Sequence, residues 1–226
     1  MRNYFNKIVY LLVFASSFAA NASDQDDFFR AARADNASGI KSLLAKGFDP
    51  NTRDDKGQTA LLIAMREPSP KVIEVLVAFP KTNVEARNSK DESPLMLAAI
   101  KGQQELVTQL IARDADINKP GWTPLHYAAT SGQVAIMKQL LDKDAFINAQ
   151  SPNGTTPLMM AAMYGSAAAV QLLLEEGADV AMKNEQGMTA ADFAERGKRP
   201  DAIALLKAAA QPQQAPQPKR PADGKW

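Results

Sequence analysis

The sequence Gly121-Trp122-Thr123-Pro124-Leu125-His126-Tyr127-Ala128-Ala129 returns about 33 residues later as Gly154-Thr155-Thr156-Pro157-Leu158-Met159-Met160-Ala161-Ala162. Shorter versions of the same frame begin at Gly57, Asp91 and Gly187. A period of this length is typical of proteins that stack similar units, each of which contacts only its neighbours. The repeat therefore predicts an elongated array of units rather than a globule built around one central cavity.

Each frame carries the residues that begin and end a short helix. Thr123 stands where a hydroxyl can cap a helix, and Pro124 follows at the first helical position, where a missing N–H costs nothing. The alanine pair lets neighbouring helices approach closely, and Gly132 and Gly165 suit a helix C-terminus. A second apolar segment, Val134 to Leu141, precedes a small polar turn. The pattern thus predicts that each unit forms a helix, a turn, a second helix and a projecting hairpin.

This order of residues resembles the ankyrin repeat, whose motif begins Thr-Pro-Leu-His. The resemblance covers roughly residues 24–210. It implies an all-α repeat solenoid, an ankyrin stack of about six helix-turn-helix units with projecting hairpins and a cap at each end. The residues that the alignment places on the inner helix of the first, capping unit are Phe28, Phe29, Ala31 and Ala32. The last unit, from Gly187 to about Ala210, forms the second cap and has Asp192 where the motif has histidine.

The spacing between frames varies in two places. Thr59 and Ser93 are farther apart than the other frame starts, and Ser93 and Thr123 are closer together. Length changes in a solenoid collect in its loops. The sequence therefore predicts a lengthened hairpin near Phe79–Thr82 and a shortened one between Asn118 and Gly121.

Residues 1–22 precede the array and carry the three parts of an export signal. Arg2 and Lys7 form a basic start, and Ala20-Asn21-Ala22 is a cleavage motif. The apolar run between them, Ile8 to Phe18, is too short to span a bilayer core of ~30 Å. The sequence predicts cleavage after Ala22 and an exported product without a stable membrane anchor. A periplasmic location is the simplest interpretation, with secretion as the alternative.

The chain thus divides into a signal peptide (1–22), an ankyrin-repeat domain (23–210) and a tail (211–226). The tail is rich in proline and glutamine and has almost no apolar residues. Such a segment cannot form a core, and we expect it to be disordered. Its alternative interpretation is a ligand for a domain that recognises proline-rich peptides.

Composition argues against several kinds of chemistry. The chain has 26 basic and 25 acidic residues, and loss of Arg2 and Lys7 with the signal would leave one acid in excess. No strongly basic face is expected, so nucleic acid is not a predicted partner. With no cysteine and one histidine, His126, a His/Cys metal cluster and a cysteine nucleophile are excluded. We expect no cofactor and no catalytic residue, and the resemblance assigns His126 a structural role at the hairpin base.

The resemblance implies a non-catalytic protein, expected to be monomeric, that binds another protein through hairpin tips and the concave face of the inner helices. The variable positions of the frame give the predicted partner-binding residues: Arg66, Arg87, Lys90, Ile100, Lys101, Trp122, Thr130, Ser131, Asn153, Thr155, Met163, Tyr164 and Met188. We expect an exposed cluster on one surface with a basic rim: the cluster is Trp122, Met163, Tyr164, Ile100 and Lys101, and the rim is Arg66, Arg87 and Lys90. The alternative for Trp122 is that it covers the shortened hairpin.

Two other classes of function remain open at this stage. Some small bacterial ankyrin proteins are associated with catalase function or haem delivery, and the resemblance permits an accessory role in stress defence. An enzyme is the second alternative. It is disfavoured because the sequence offers no candidate catalytic group outside positions that the repeat uses for structure.

Overall fold

A computed structural model describes residues 23–211. The predicted export signal and the proline-rich tail beyond Gln211 lie outside the described residues. Within that range the chain forms an all-α repeat solenoid of twelve helices in six consecutive pairs, with no strand and one isolated antiparallel bridge between Arg53 and Thr59. The predicted fold class is therefore confirmed. None of these helices is long and apolar enough to cross a membrane.

The helices divide between two compact units. Unit 1, described over residues 23–119, contains α1 (23–33), α2 (Ala37–Ala45), α3 (Ala60–Arg66), α4 (Pro70–Ala78), α5 (Pro94–Ile100) and α6 (Gln104–Ile111). Unit 2, described over residues 120–211, contains α7 (Pro124–Thr130), α8 (Val134–Leu141), α9 (Pro157–Tyr164), α10 (Ala167–Glu175), α11 (Ala190–Arg196) and α12 (Pro200–Ala209). In each pair, the first helix is the inner helix of the repeat and the second is the outer helix.

The inner helices begin where the sequence predicts. The hydroxyls of Thr59, Ser93 and Thr156 accept the N–H three residues later, and proline occupies the first turn of α5, α7 and α9. The leucine of each motif is almost fully buried, as Leu61, Leu95, Leu125 and Leu158. Short helices of this kind are marginal in isolation, so the buried face and the cap together determine where each one forms.

The first helix pair ends the array as predicted. Phe28, Phe29, Ala31 and Ala32 are all buried. The ring of Phe28 lies 4.6 Å from that of Phe48 and 6.1 Å from that of Phe29, centroid to centroid. These aromatic contacts bury apolar area between α1 and the segment that follows α2.

The two glycines expected to end inner helices of unit 2 do so in different ways. Gly132 has φ +67°, a left-handed conformation that a side chain disfavours, as the prediction requires. Gly165 is the C-cap residue of α9, as predicted, but its φ of −76° does not itself require glycine. A Cβ at Gly165 would collide with the carbonyl oxygen of Ala129 and lie 2.9 Å from that of Ala161. Glycine is required there because two backbones approach closely.

The lengthened hairpin of unit 1 is held by one side chain that the sequence did not single out. The guanidinium of Arg113, after α6, donates to the carbonyl oxygens of Val77, Phe79, Pro80 and Thr82. From the other side, the Asn51 side chain donates to the Lys81 carbonyl at 2.8 Å and accepts from the Asn83 N–H at 2.7 Å. The residue added at Phe79–Thr82 is thus accommodated by these side chains together with the Thr82 N–H, which donates to the Phe79 carbonyl at 3.0 Å.

Candidate protein-binding surface

The third position after each cap residue decides how a hairpin is attached to its inner helix. His126 is fully buried in unit 2, where its Nδ1 accepts the Thr123 N–H at 3.2 Å and its Nε2 donates to the Thr155 carbonyl at 2.9 Å. These two bonds fix the neutral tautomer with the proton on Nε2. The structural role implied for His126 is therefore confirmed, and both ring nitrogens are engaged.

Other repeats replace this histidine with groups that keep only its local bond. The sulfur of Met96 accepts the Ser93 N–H at 3.4 Å, and the sulfur of Met159 accepts that of Thr156 at the same distance. Asp192 accepts both the N–H and the hydroxyl of Thr189, and these hydrogen bonds lower the pKa of its carboxyl. All three residues cap their own helix, but only the imidazole has a second nitrogen that reaches the next hairpin.

In unit 1, the predicted basic residues lie among carboxylates. A nitrogen of Arg66 lies 3.7 Å from an oxygen of Glu92. The Arg87 guanidinium lies 3.4 Å from Asp91, 3.5 Å from Asp116 and 3.6 Å from Glu85, measured between nitrogen and oxygen. The positive charge of the predicted basic rim is therefore offset at these two residues by nearby carboxylates.

The same cluster holds a buried cation that the sequence analysis missed. The side chain of Lys119 is only 2% exposed, and its ammonium pairs with Asp91, which has a left-handed φ of +61°. The hydrogen bond from Lys119 lowers the pKa of the Asp91 carboxyl. Burial raises the pKa of Glu85, although the Asp116 N–H, which donates to Glu85 Oε1 at 2.8 Å, opposes that shift. The charged groups of this cluster pair with one another and so stabilise the hairpins of unit 1.

The remaining predicted residues of unit 1 divide into structural and accessible ones. Lys90 is exposed, and Ile100 is half-buried at the end of α5. The ammonium of Lys101 donates to the carbonyl of Met65 at the end of α3. Lys101 is exposed but already acts as a C-terminal cap for that neighbouring helix. Lys90 and Ile100 are thus the predicted residues in this unit that no contact described above engages.

In unit 2, several predicted polar residues stabilise their own repeat. The Thr130 hydroxyl donates to the His126 carbonyl at 2.7 Å, and that of Ser131 to the Tyr127 carbonyl at 3.2 Å. Asn153 is exposed, and its side-chain oxygen accepts the hydroxyl of Ser151 at 2.6 Å. Thr155 is only 2% exposed. A buried side chain cannot contact a partner, so Thr155 is removed from the predicted surface.

The aromatic and methionine side chains of unit 2 are accessible to different extents. Tyr164, at the end of α9, is 54% exposed. Met163 and Met188 are half-buried, as is Trp122, whose ring meets the edge of the His126 ring with centroids 5.2 Å apart. Trp122 therefore packs on an inner-helix residue of its own repeat and is only partly accessible.

The sequence analysis missed two further accessible residues on the inner helices of unit 2. Tyr127 and Met160 each follow the third position after the cap and are half-buried, whereas the motif residues on either side of them are buried. Their shared place in the frame, one residue after His126 and Met159, was the signal that could have identified them. Together with Met163 and Tyr164, they make the accessible part of α7 and α9 rich in aromatic and methionine side chains, which we call the aromatic-methionine patch.

The titratable side chains of the described residues bear on metal binding. Within residues 23–211, no three His, Cys, Asp or Glu side chains are grouped so that they could hold a metal ion. The single histidine is buried and hydrogen-bonded through both nitrogens. The arrangement offers a preformed surface, which suits binding.

A sequence profile of a family described as ankyrin repeats in three copies matches the chain three times, over residues 28–120, 80–151 and 144–215. Neurogenic locus notch homolog protein 4 of Homo sapiens is 37% identical over 86 residues, which are 38% of this chain and 4% of that protein. The glycerophosphocholine phosphodiesterase gde1 of Schizosaccharomyces pombe is 34% identical over 88 residues, or 37% of this chain and 8% of that protein. The chain thus spans only a small fraction of the length of these curated relatives.

Two solved structures are similar over most of the described chain. An ankyrin repeat domain from Acinetobacter baumannii AYE has a TM-score of 0.68 and 26% identity, and the match covers 80% of this chain and 96% of that one. A chain from the complex of a predatory endopeptidase from Bdellovibrio bacteriovorus with an immunity protein has a TM-score of 0.69 and 27% identity, and the match covers 80% and 97%.

Proposed function

The chain belongs to the ankyrin-repeat family, and we propose on that basis that it is a non-catalytic scaffold in the bacterial periplasm that binds one partner protein as a monomer. The fold is generally one that presents a binding surface rather than a reaction centre. The observation that carries the proposal is the 54% exposed ring of Tyr164 beside half-buried Met163. An accessible aromatic residue among apolar neighbours is typical of an interaction hot spot.

The aromatic-methionine patch is the surface that we assign to the partner. Aromatic rings and methionines are enriched at the centres of protein interfaces because they bury much apolar area at low entropic cost. The predicted residues Trp122 and Met188 extend the patch along the hairpins of unit 2. The proposal also includes Lys90 and Ile100 of unit 1 as residues that contact the partner.

The test begins with capture of the partner by the full chain from a periplasmic extract, followed by affinity measurements on single variants. We expect Tyr164→Ala to weaken binding by at least ~1–2 kcal/mol and to leave the melting temperature unchanged. Phe146→Ala is the matched control, because Phe146 is 65% exposed in the same unit but lies outside the inner helices. Equal affinity of the Tyr164→Ala variant and the parent chain would contradict the assignment of the patch.

A second set of residues tests the role of Trp122. Because its ring packs on His126, Trp122→Ala should lower thermal stability as well as affinity. Binding that weakens only as much as the folded fraction falls would assign Trp122 to the hairpin alone. Affinity lost at a temperature where the variant is fully folded would include it in the patch.

The periplasmic location is a separate part of the proposal and rests on residues 1–22. Arg2 and Lys7, the apolar run and the Ala-Asn-Ala motif support export through a cleaved signal. N-terminal sequencing of the exported protein should begin at Ser23. Recovery of intact protein only from the cytoplasm, still starting at Met1, would refute this part and leave the binding proposal intact.

We also propose a class of partner to examine first, an exported endopeptidase. The support is the similarity to a chain from a complex between an endopeptidase and an immunity protein, of which the match covers 97%. Candidate endopeptidases from the same periplasm can be purified and titrated directly against the full chain. Saturable binding that Tyr164→Ala weakens would support this class. This class of partner would be excluded if a captured protein without peptidase activity bound saturably and none of the endopeptidases did.

A further inference from the structure

Two grooves run between outer helices of unit 1, and their linings differ in chemistry. The groove between α2 and α4 has a volume of about 580 Å³, and the one between α4 and α6 about 370 Å³. The first has an apolar floor made by buried Leu44 and half-buried Val75 and Phe79. The second has amide and carboxylate side chains, including Gln103 and Glu105, beside the apolar Ile73 and Leu106. The first groove is the larger of the two.

The groove between α2 and α4, which we call the outer groove, has small residues along its walls. Ala37 and Ala45 of α2 and Ala78 of α4 line it, where longer side chains would fill the space between the helices. Ala45 and Ala78 are exposed. A trough of this size accommodates a few side chains of a partner, and burying apolar side chains in it would favour binding.

Charged side chains surround this apolar floor. Lys41 of α2 and Lys71 of α4 line the groove together with Glu74, and all three are exposed. Two ammonium groups against one carboxylate give the rim a net positive charge. A partner that places carboxylates beside the apolar side chain it inserts would therefore meet complementary charges.

We propose that the outer groove is a second docking site, which takes an acidic segment of another protein through an apolar side chain flanked by carboxylates. This site lies on outer helices, so it is distinct from the aromatic-methionine patch on inner helices of unit 2. The inference does not depend on the identity of the partner proposed for that patch.

The charge of the rim also argues against two other occupants. The tail of this chain carries Lys219, Arg220 and Lys225 against a single Asp223. Its basic residues would face Lys41 and Lys71. A second copy bound through the same groove would likewise bring identical lysines together around a two-fold axis. Like charges in contact oppose association, so an acidic partner segment is the occupant that the rim favours.

The experiment uses two synthetic peptides and the isotope-labelled full chain. The first peptide has two leucines flanked by two glutamates on each side, and the second has lysines in place of the glutamates. In an NMR titration at low salt, we expect the acidic peptide to cause saturable shifts of the Leu44 and Val75 amides. The basic peptide should bind at least about tenfold more weakly, and added salt should weaken the acidic complex.

Matched charge reversals locate the site. The double variant Lys41→Glu/Lys71→Glu should bind the acidic peptide at least about tenfold more weakly than the parent chain. Lys56→Glu/Lys143→Glu makes the same change in charge at two exposed positions that line neither groove and should bind it with no more than a small loss. All four lysines are exposed, so folding of both variants can be checked by their unchanged melting temperatures.

Three outcomes would overturn the proposal. They are no saturable shift in α2 and α4, equal affinity for the acidic and basic peptides, and equal losses in the two double variants. Shifts of Leu44 and Val75 that depend on protein concentration without peptide would instead assign the groove to a second copy. Failure here would leave the aromatic-methionine patch untouched, because the Tyr164→Ala measurement concerns another unit and another partner.

Discussion

Unit 1 and unit 2 have the same repeat frame but fix their hairpins with different chemistry. In unit 1 the hairpins are tied by ions, since Arg87 lies within 3.6 Å of three carboxylates and buried Lys119 pairs with Asp91. In unit 2 the buried imidazole of His126 and short polar groups such as Ser151 do this work. Charged residues that fix a hairpin are unavailable to a partner, whereas the arrangement in unit 2 leaves Tyr164 accessible.

The largest effect is expected where the two units are alike. Leu125→Ala and Leu158→Ala in unit 2, and Leu95→Ala in unit 1, each remove a buried side chain from the same position of the frame. Each should lower the free energy of unfolding by about 2–5 kcal/mol. Chemical denaturation measures this. Losses under about 1 kcal/mol would mean that the frame does not form the core.

The next effect belongs to unit 1 alone. Arg113→Met removes a guanidinium that donates to four carbonyl oxygens around Phe79–Thr82. We expect a loss of about 2–3 kcal/mol, because hydrogen bonds from a charged donor are strong and the carbonyls keep few alternatives. Arg66→Met is the matched control, since Arg66 is exposed and its pair with Glu92 is long. It should cost less than about 1 kcal/mol.

The third effect belongs to unit 2. His126→Met installs the residue that neighbouring repeats use, whose sulfur can keep the bond to the Thr123 N–H as Met159 keeps that of Thr156. It removes the Nε2–H bond to the Thr155 carbonyl, which also accepts the Ser151 N–H at 2.9 Å, and the ring contact with Trp122. We expect a loss of about 1 kcal/mol. Amide exchange should rise at Ser151–Thr155, and unchanged exchange there would mean that His126 does not hold this hairpin.

The smallest effect concerns pH and the ion cluster of unit 1. Burial raises the folded-state pKa of Glu85 above its unfolded value, so the protonated form favours folding. The corresponding stability is present below the unfolded pKa and is lost as pH rises through the folded pKa. Glu85→Gln stays neutral and should be more stable than the parent chain near pH 7, by less than about 1 kcal/mol.

This difference should vanish below about pH 4, where Glu85 is protonated in both states. Denaturation curves of both proteins from acid to neutral pH measure it. Glu74→Gln, at an exposed position of α4, is the control and should show little change at any pH. A Glu85→Gln variant that is less stable at neutral pH would mean that attraction to Arg87 outweighs the cost of burial.

The fold was predictable because the residues that determine it act locally and recur from repeat to repeat. Cap hydroxyl, proline, leucine and small residues recur in order, and each acts within a few residues of its own helix. The first helix pair was also predictable, since large aromatic side chains such as those of Phe28 and Phe29 are expected in a core even where the Thr-Pro-Leu motif is absent. The role of Gly165 was not, because its φ is ordinary and the reason for glycine lies in a backbone more than thirty residues away.

The candidate surface was predictable only in part for the same reason. Frame positions identify which residues vary, but not which of them find partners in the neighbouring repeat. Arg87 and Lys101 occupy variable positions and are engaged by Asp116 and the Met65 carbonyl, respectively. Such pairings join side chains a whole repeat apart, and the position of a residue within its own repeat does not predict them. Tyr164 remained available because it meets no such partner in the contacts described above.

The Arg113 contacts have a consequence for the modularity of the array. Repeats of this kind are often treated as interchangeable cassettes, each bounded by its own turn. Here the longer turn at Phe79–Thr82 is completed by a side chain from the following helix pair and by Asn51 from the preceding hairpin. A cut on either side would strand carbonyl oxygens without donors. In recombination, by evolution or by design, the segment from Asn51 through Arg113 would have to be exchanged as one piece. This segment is longer than any single repeat.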